Sequence, residues 1–441
     1  MFELLYILIY TNRELILFTI KEKFMNIHLH TFGCRLNQYE SEKISYELKN
    51  MGANITELNN ADAIAINTCT VTNDSDKKLM AYLEKLGDIS QKKVFLIGCY
   101  VSKKDKDSSI MQDNIILIPN EKKEEASEII FNTMHNNSEN KINNPIFFPQ
   151  EQSRAYLKIQ DGCEVFCTYC IVSRVRGSHR SVEPQKIFDA VKMASDYGYK
   201  EIVLTGLNLG SYNYNNEISF YNILTQILEH SSKYGIRIRL SSVEPLYFDD
   251  NLISLFKNDD VLCPHAHIPL QSGSNKILKL MNRRYTREDY LSVTEKLYKT
   301  NSNMAISSDV MVGFPHEENT DFNDTYDLCE KSKFIKIHIF RYSNRENTPS
   351  SKMDGQVGYR TKLKRAKILN SLNNKLKDSY YKNAEGRDLK IIIEKTLSDN
   401  NYIGTSAEYL KCKLYSDTNL NKKELVSAKA LKYEGGIMIS Q

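Results

Sequence analysis

Cys163, Cys167 and Cys170 stand in a C-x3-C-x2-C spacing, tight enough for one loop to bring three thiolates to a single inorganic centre. Three thiolates can hold three irons of a four-iron cluster and leave the fourth iron open to a small chelating ligand. The competing readings are a zinc site short of one ligand and a set of unpaired structural cysteines. Zinc normally recruits a fourth Cys or His at comparable spacing; the nearest histidine downstream, His179, lies in the basic run Arg174 to Arg180. The spacing therefore favours the cluster. A second group, Cys34, Cys69 and Cys99, is dispersed, but each member follows a short apolar run: Asn26 to His30, Ala61 to Ile66 and Lys93 to Ile97. Any one of the three alone reads as a buried core thiol. At the ends of parallel strands, all three converge on one sheet edge. Cys263, Cys329 and Cys412 lack that setting and are expected to be structural.

The elements that must position these groups are visible as alternating patterns. Residues 25–134 alternate strand-like runs with helix-like stretches, which predicts an N-terminal parallel α/β domain. Residues 135–152 are rich in Asn, Ser, Glu and Lys with two prolines and read as a linker. From 153 to 383 the alternation resumes, with strands expected at Ala155–Ile159, Glu201–Leu204, Arg237–Leu240, Cys263–Leu270, Met304–Met311 and Lys336–Arg341. Six such strands predict a central partial (βα)6 barrel, whose chemistry belongs on the loops after the strands. That puts the Cys163 triplet after the first barrel strand. Tyr169 within it, and Thr205, Gly206, Ser242, Glu244, Gln271 and Asp309 at later strand ends, become candidates for holding a cofactor. A basic helix over Lys362–Lys382 follows. Short strands at Leu389–Glu394, Tyr402–Thr405, Tyr409–Leu414 and Ile437–Ser440 then predict a small C-terminal β-barrel over 384–441.

A chain of 441 residues suggests two or three domains. The 59 basic and 55 acidic residues leave a net charge of +4, which permits an anionic partner without demanding one. Nine cysteines, an odd number in a long chain, argue against a disulfide scaffold and for a reducing cytoplasm. Met1 to Ile20 is apolar, but Glu3, Arg13 and Glu14 interrupt it and no basic region precedes it. It fits neither a signal peptide nor a spanning helix, so no membrane is expected. Residues 1–24 are expected to be a dispensable extension ahead of Met25.

The Cys163 triplet at a first strand end resembles the signature of the radical S-adenosylmethionine enzymes. Thr31-Phe32-Gly33-Cys34-Arg35-Leu36-Asn37-Gln38-Tyr39-Glu40-Ser41, Asn67-Thr68-Cys69-Thr70-Val71-Thr72 and Lys158-Ile159-Gln160-Asp161-Gly162-Cys163 narrow the resemblance. So do Thr205 to Tyr212, Arg239 to Pro245 and Pro269 to Ser274. Together they are similar to the methylthiotransferases, and specifically to the branch acting on N6-threonylcarbamoyladenosine in transfer RNA. Glu164 stands where that family usually has Asn, and Ser173 where a Pro is common.

The resemblance implies two [4Fe-4S] clusters, one on Cys163, Cys167 and Cys170 and an auxiliary one on Cys34, Cys69 and Cys99, all six catalytic. It implies two S-adenosyl-L-methionine molecules per product: one methylates a sulfur on the auxiliary cluster, the other yields a 5′-deoxyadenosyl radical. Its expected partners are a tRNA anticodon loop, an electron donor and a sulfur donor, and residues 384–441 become a TRAM-like RNA-binding barrel. Arg174, Arg176 and Arg180 are expected to meet a substrate or cofactor carboxylate. Lys362, Lys364, Arg365 and Lys367 are placed either to touch phosphates or to form a solvated helix face. Rival substrates are isopentenyl-adenosine in tRNA and a ribosomal protein aspartate. From another class, a non-catalytic RNA-binding metal scaffold would need closed four-ligand sites, which two open triplets do not offer.

Overall fold

The computed structural model describes residues 5–11, 14–20, 25–87, 91–103, 113–135, 145–258, 260–398 and 400–441. Near the N-terminus, Leu5–Thr11 and Glu14–Ile20 are strands that pair antiparallel within the expected extension.

The first α/β unit is a parallel sheet of β1 (Asn26–Thr31), β2 (Ala63–Thr68), β3 (Lys93–Gly98) and β4 (Ile115–Pro119), in that order, with Asn54–Ile55 on the outer side of β1. Every residue of β2 is buried, as helices on both faces of a parallel sheet require. β2 runs two residues further than its apolar stretch, through Asn67 and Thr68, because those polar side chains are satisfied inside the fold and continue the ladder.

Within the expected linker, 136–144 lie outside the described residues. Residues 145–152 carry no helix or strand, yet Phe147 and Phe148 are fully buried, Phe147 in the barrel core and Phe148 against Tyr39.

The central unit holds β5 (Ala155–Lys158), β6 (Glu201–Thr205), β7 (Arg237–Leu240), β8 (His265–His267), β9 (Ala305–Val312) and β10 (Lys336–Arg341). β5, β6 and β7 form one parallel sheet and β8, β9 and β10 another. Parallel bridges Ile238–Leu262 and Ser242–His267 join the two into an open six-stranded arc. β8 is much shorter than the Cys263–Leu270 run, since Pro264 and Pro269 bracket it and cannot donate to a ladder. Helices pack outside; Pro184–Asp196 and Phe220–Ser232 turn their apolar stripes onto the arc and share its core.

The basic stretch is a 25-residue helix, Tyr359–Asn383. Two of the four cations placed either to touch phosphates or to form a solvated helix face do neither and point inward. Arg365 is buried on Glu317 at 2.6 Å, and Lys362 donates to the Tyr342 carbonyl at 3.0 Å. Lys364 and Lys367 are exposed.

The chain ends in a closed barrel of β11 (Asp388–Ser398), β12 (Asn401–Ser406), β13 (Lys411–Tyr415), β14 (Leu425–Glu434) and β15 (Ile437–Ser440), with β15 inserted between β13 and β14. Tyr409, expected inside a strand, instead has φ 71° and turns the chain ahead of β13. β14 carries little strand signal in the sequence because its inward face is built from Ala428 and Ala430, too small to give a clear apolar alternation.

Candidate active site

β1, β2 and β3 end side by side, with Thr31 opposite Asn67 and Thr68 opposite Gly98. Cys34, Cys69 and Cys99 therefore leave one edge of the sheet. Buried hydrogen bonds clip the loops together: Asn37 Nδ2 donates to the carbonyls of Phe32 (2.8 Å) and Thr68 (2.9 Å). Asn67 Nδ2 donates to the Asn37 carbonyl and to Ser41 Oγ, both at 2.9 Å. Bonds of this kind contribute roughly 1 kcal/mol each, and far more is lost when one buried partner is removed. Gly33, at φ 107°, lets two ligand loops touch: a Cβ there would stand 2.7 Å from Cys69 Cβ. Cys34 is exposed, while Cys69 and Cys99 are buried. Burial, and then charge on Cys99 and Cys34, pushes the Cys69 thiol up, so the three sulfurs sense one another.

The second triplet sits on the loop after β5. Gly162, at φ 74°, packs so closely that a Cβ would lie 1.9 Å from the Ser178 carbonyl oxygen, which only glycine allows. The loop is clamped from across the barrel: Thr168 donates through N and Oγ1 to the carbonyls of Met281 (3.1 Å) and Leu280 (2.8 Å). Next in that turn, Arg283 Nη1 lies 3.3 Å from Cys167 Sγ while Nη2 pairs with Glu244. Burial pushes the Cys170 thiol up to about 12. Tyr169 sets its ring edge-on to Phe314 at 6.4 Å. Glu164 is exposed, off the clamped side of the loop.

The donor sets suit clusters rather than single ions. Among the described residues, neither triplet has all three sulfurs within 4.8 Å of one another. A lone zinc, with Zn–S near 2.3 Å, needs sulfurs less than about 4 Å apart. A centre of several irons spreads its ligands wider.

A five-residue helix, Val172–Arg176, ties the triplets together. It starts just after Cys170, and Ile171 and Val175 pack on Cys99. Asn120 Nδ2 also donates to the Val175 carbonyl at 2.6 Å. Arg176 does not meet a substrate or cofactor carboxylate as expected. It is buried on Glu40, with Nη1–Oε1 at 2.5 Å and Nη2–Oε2 at 3.1 Å, and reaches Asn37 Oδ1 at 2.7 Å. Lys123 pairs with the same carboxylate at 2.5 Å. Burial alone would raise the Glu40 carboxyl, but Arg176, Lys123 and Lys158 hold it far below the ordinary range. A depressed folded-state value means that this stabilisation is complete above the unfolded value of 4.5 and disappears as pH falls below it. Denaturant midpoints should therefore drop as pH falls below 4.5. Glu40→Gln should cost about 3 kcal/mol at pH 7 and flatten that dependence. An unchanged midpoint at pH 7 would remove Glu40 from the domain contact.

Where the three units meet there is a cavity of about 330 Å³. Cys34 and Arg35 line it from the first unit, and Thr205, Gly206, Ser242, His265, His267, Asp309 and His338 from the barrel strands; Tyr409 comes from the C-terminal barrel. Four of the residues read as cofactor-binding thus share a wall. Glu244, Gln271 and Tyr169 lie off it: Glu244 is taken by Arg283, and Gln271, at φ 66°, is tied through its backbone to Asp309 and Met311. His267 Nε2 stands 3.3 Å from Asp309 Oδ2. Burial, then Lys336, lowers His338 to about 4, so its ring is neutral. No motif in the sequence singles out His265, His267, His338 or Arg283 as site residues, while Arg35 and Tyr409 stand there only inside runs that resemble the family. A histidine pair inside a strand, His265 and His267, was the available signal.

Comparison with known proteins fits this arrangement. The profile of the Radical SAM superfamily matches residues 157–329, and that of the Uncharacterized protein family UPF0004 matches residues 26–118. The chain is 32% identical over 403 residues to the "Threonylcarbamoyladenosine tRNA methylthiotransferase MtaB" of Aquifex aeolicus, covering 88% of this chain and 98% of the relative. With the MtaB of Bacillus subtilis it shares 33% over 425 residues, 92% of this chain and 94% of the relative. With the "tRNA-2-methylthio-N(6)-dimethylallyladenosine synthase" of Clostridium tetani it shares 33% over 427 residues, 92% and 93% of the two chains. Among solved structures, the radical S-adenosylmethionine methyltransferase TsrM of Kitasatospora setae superposes with a TM-score of 0.53 at 10% identity, over 71% of this chain and 72% of that one, a likeness of fold. The chain is an enzyme and a transferase, and it belongs to the radical S-adenosylmethionine methylthiotransferases, the family that includes the MtaB enzymes.

Proposed function

We propose that this enzyme inserts a methylthio group at carbon 2 of N6-threonylcarbamoyladenosine, next to the anticodon of cytoplasmic tRNA. One observation carries the reading: a single cavity is lined at once by Cys34, by the barrel strand ends and by Tyr409 of the C-terminal barrel. A sulfur-delivering centre, a radical-generating centre and an RNA-binding module would all need access to the same base. Cys163, Cys167 and Cys170 would hold one [4Fe-4S] cluster, and Cys34, Cys69 and Cys99 the auxiliary one. When bound, these clusters and two S-adenosylmethionine molecules per product supply a hydrogen-abstracting radical and a methylated sulfur, recharged by an electron donor and a sulfur donor.

The chain's own residues position and shield. The target C–H bond is neither acidic nor electrophilic, so no side-chain acid or base can activate it alone. Arg283, braced by Glu244, keeps a guanidinium against Cys167. The buried His265 and the neutral His338 offer hydrogen bonds without added charge, which suits an adenine edge in an unstacked loop nucleotide.

Relatives named for the one nucleoside and relatives named for the other match at similar identity. The runs Asn37–Ser41 and Leu209–Tyr212 support the threonylcarbamoyl branch. Mass spectrometry of tRNA nucleosides from cells with and without the gene tests the reading. The methylthio form of threonylcarbamoyladenosine should vanish on deletion. Loss of a different methylthio nucleoside in its place would overturn the substrate.

A further inference from the structure

Three guanidiniums surround the ring of Tyr409: Arg239 at 5.1 Å, Arg35 at 5.5 Å and Arg154 at 5.6 Å from its centroid. Two are already neutralised, Arg239 by Glu201 at 2.6 Å and Arg154 by Glu394 at 3.0 Å. Arg35 is not. Among the described residues no carboxylate pairs with it, and its hydrogen-bond partner is the Tyr409 hydroxyl, to which Nη2 donates. Its side chain is exposed and lines the shared cavity beside Cys34. Tyr409 is held firmly for a residue in a turn. Its backbone takes φ 71°, its N–H donates to the Ser406 carbonyl at 3.0 Å, and its ring stacks on His265 at 4.7 Å and 26°. Left-handed backbone at a non-glycine residue persists only where its surroundings enforce it, commonly at functional sites. Among the described residues the cavity thus contains one uncompensated guanidinium, oriented by a fixed phenol.

We propose that Arg35, positioned by Tyr409, is a carboxylate subsite that reads the threonyl carboxylate of the substrate base. The proposal rests on the substrate reading above and adds the residue that makes the choice. A guanidinium next to the sulfur-delivering loop rewards a base bearing an anion and offers nothing to a hydrocarbon substituent of similar size. Tyr409 comes from the C-terminal barrel, so docking of that barrel would complete the specificity site.

The test uses the reconstituted enzyme and synthetic anticodon stem-loops carrying threonylcarbamoyladenosine, its methyl ester or dimethylallyladenosine. Wild type should prefer the acid to the ester by about 100-fold in kcat/KM. Arg35→Gln should shrink that preference to within about threefold, Arg35→Lys should keep about tenfold, and Tyr409→Phe should fall between wild type and Arg35→Gln. Binding of the acid stem-loop, followed by fluorescence anisotropy, should weaken in parallel. Three results would overturn the subsite. One is an unchanged preference in Arg35→Gln. Another is an equal loss on acid and ester, which would assign Arg35 to a backbone phosphate. The third is a raised KM for S-adenosylmethionine with the preference intact, which would assign it to the methionyl carboxylate. If wild type instead converts only the dimethylallyl stem-loop, the substrate reading itself falls, and the subsite with it.

Discussion

Cys69→Ala is expected to stop methylthio insertion, by at least about 1,000-fold, while S-adenosylmethionine is still cleaved to methionine and 5′-deoxyadenosine. Cys163→Ala should stop both reactions. The contrast follows from placement. Cys69 directly follows β2 in the first unit, buried against the Gly33 loop, whereas Cys163 follows β5 in the barrel, on the loop that Leu280 and Met281 clamp. Exchanging a small buried thiol for a methyl group disturbs packing little, so Cys69→Ala should remain folded. Iron should fall from about eight to about four atoms per chain in either variant. Only Cys163→Ala should lose the low-temperature spectral change that S-adenosylmethionine causes in a cluster with an open iron. If Cys69→Ala retained product formation with full iron, the second triplet would not be a ligand set. A non-catalytic metal scaffold would show neither cleavage nor product in any variant.

Much of this placement is legible in the sequence, for a physical reason. A C-x3-C-x2-C loop is a local object, and three cysteines at the ends of parallel strands must share an edge whatever the loop details. What escaped were features made by side chains distant in the chain. Arg176 reads as a free cation behind a cluster loop, yet its partner Glu40 is 136 positions away. Residues Asn37 to Ser41 read as a family motif; in the fold they are the clips and the docking carboxylate between the first unit and the barrel. The cavity draws His267, His338 and Tyr409 from β8, β10 and a turn of the last barrel, and no spacing in the sequence links them. The polar stretch 135–152 looked like a linker by composition, while two of its aromatic residues are core.

In sequence Arg237 stands only as a strand residue and Arg239 as the start of a family-like run, and together they support the second large effect. Glu201→Ala should destabilise the enzyme by about 3 to 5 kcal/mol and release the C-terminal barrel. Glu201 opens β6 with no exposed side-chain surface, and Arg237 and Arg239 lie on one face of the adjacent β7. Each donates to the carboxylate through Nε at 2.6 Å. Their remaining nitrogens cross to the last barrel: Arg237 donates to the carbonyl of Lys390 at 2.8 Å, and Arg239 to those of Ala407 at 2.9 Å and Ser406 at 3.0 Å. Burial opposes ionisation of Glu201, but the two guanidiniums, with Arg154, hold its carboxyl far below the usual range. Without that carboxylate, two buried cations lose their shared counter-charge and the barrel loses its ties to β7. Denaturation of Glu201→Ala should therefore show an early transition, and limited proteolysis should free a fragment beginning near residue 384. Glu201→Gln keeps hydrogen-bond acceptance without the charge and should cost roughly half as much. Since Tyr409 follows Ala407 by two residues, release of the barrel should also remove the phenol from the cavity and reduce methylthio insertion while S-adenosylmethionine cleavage continues. A single transition at the wild-type midpoint would show that the barrel docks by other contacts.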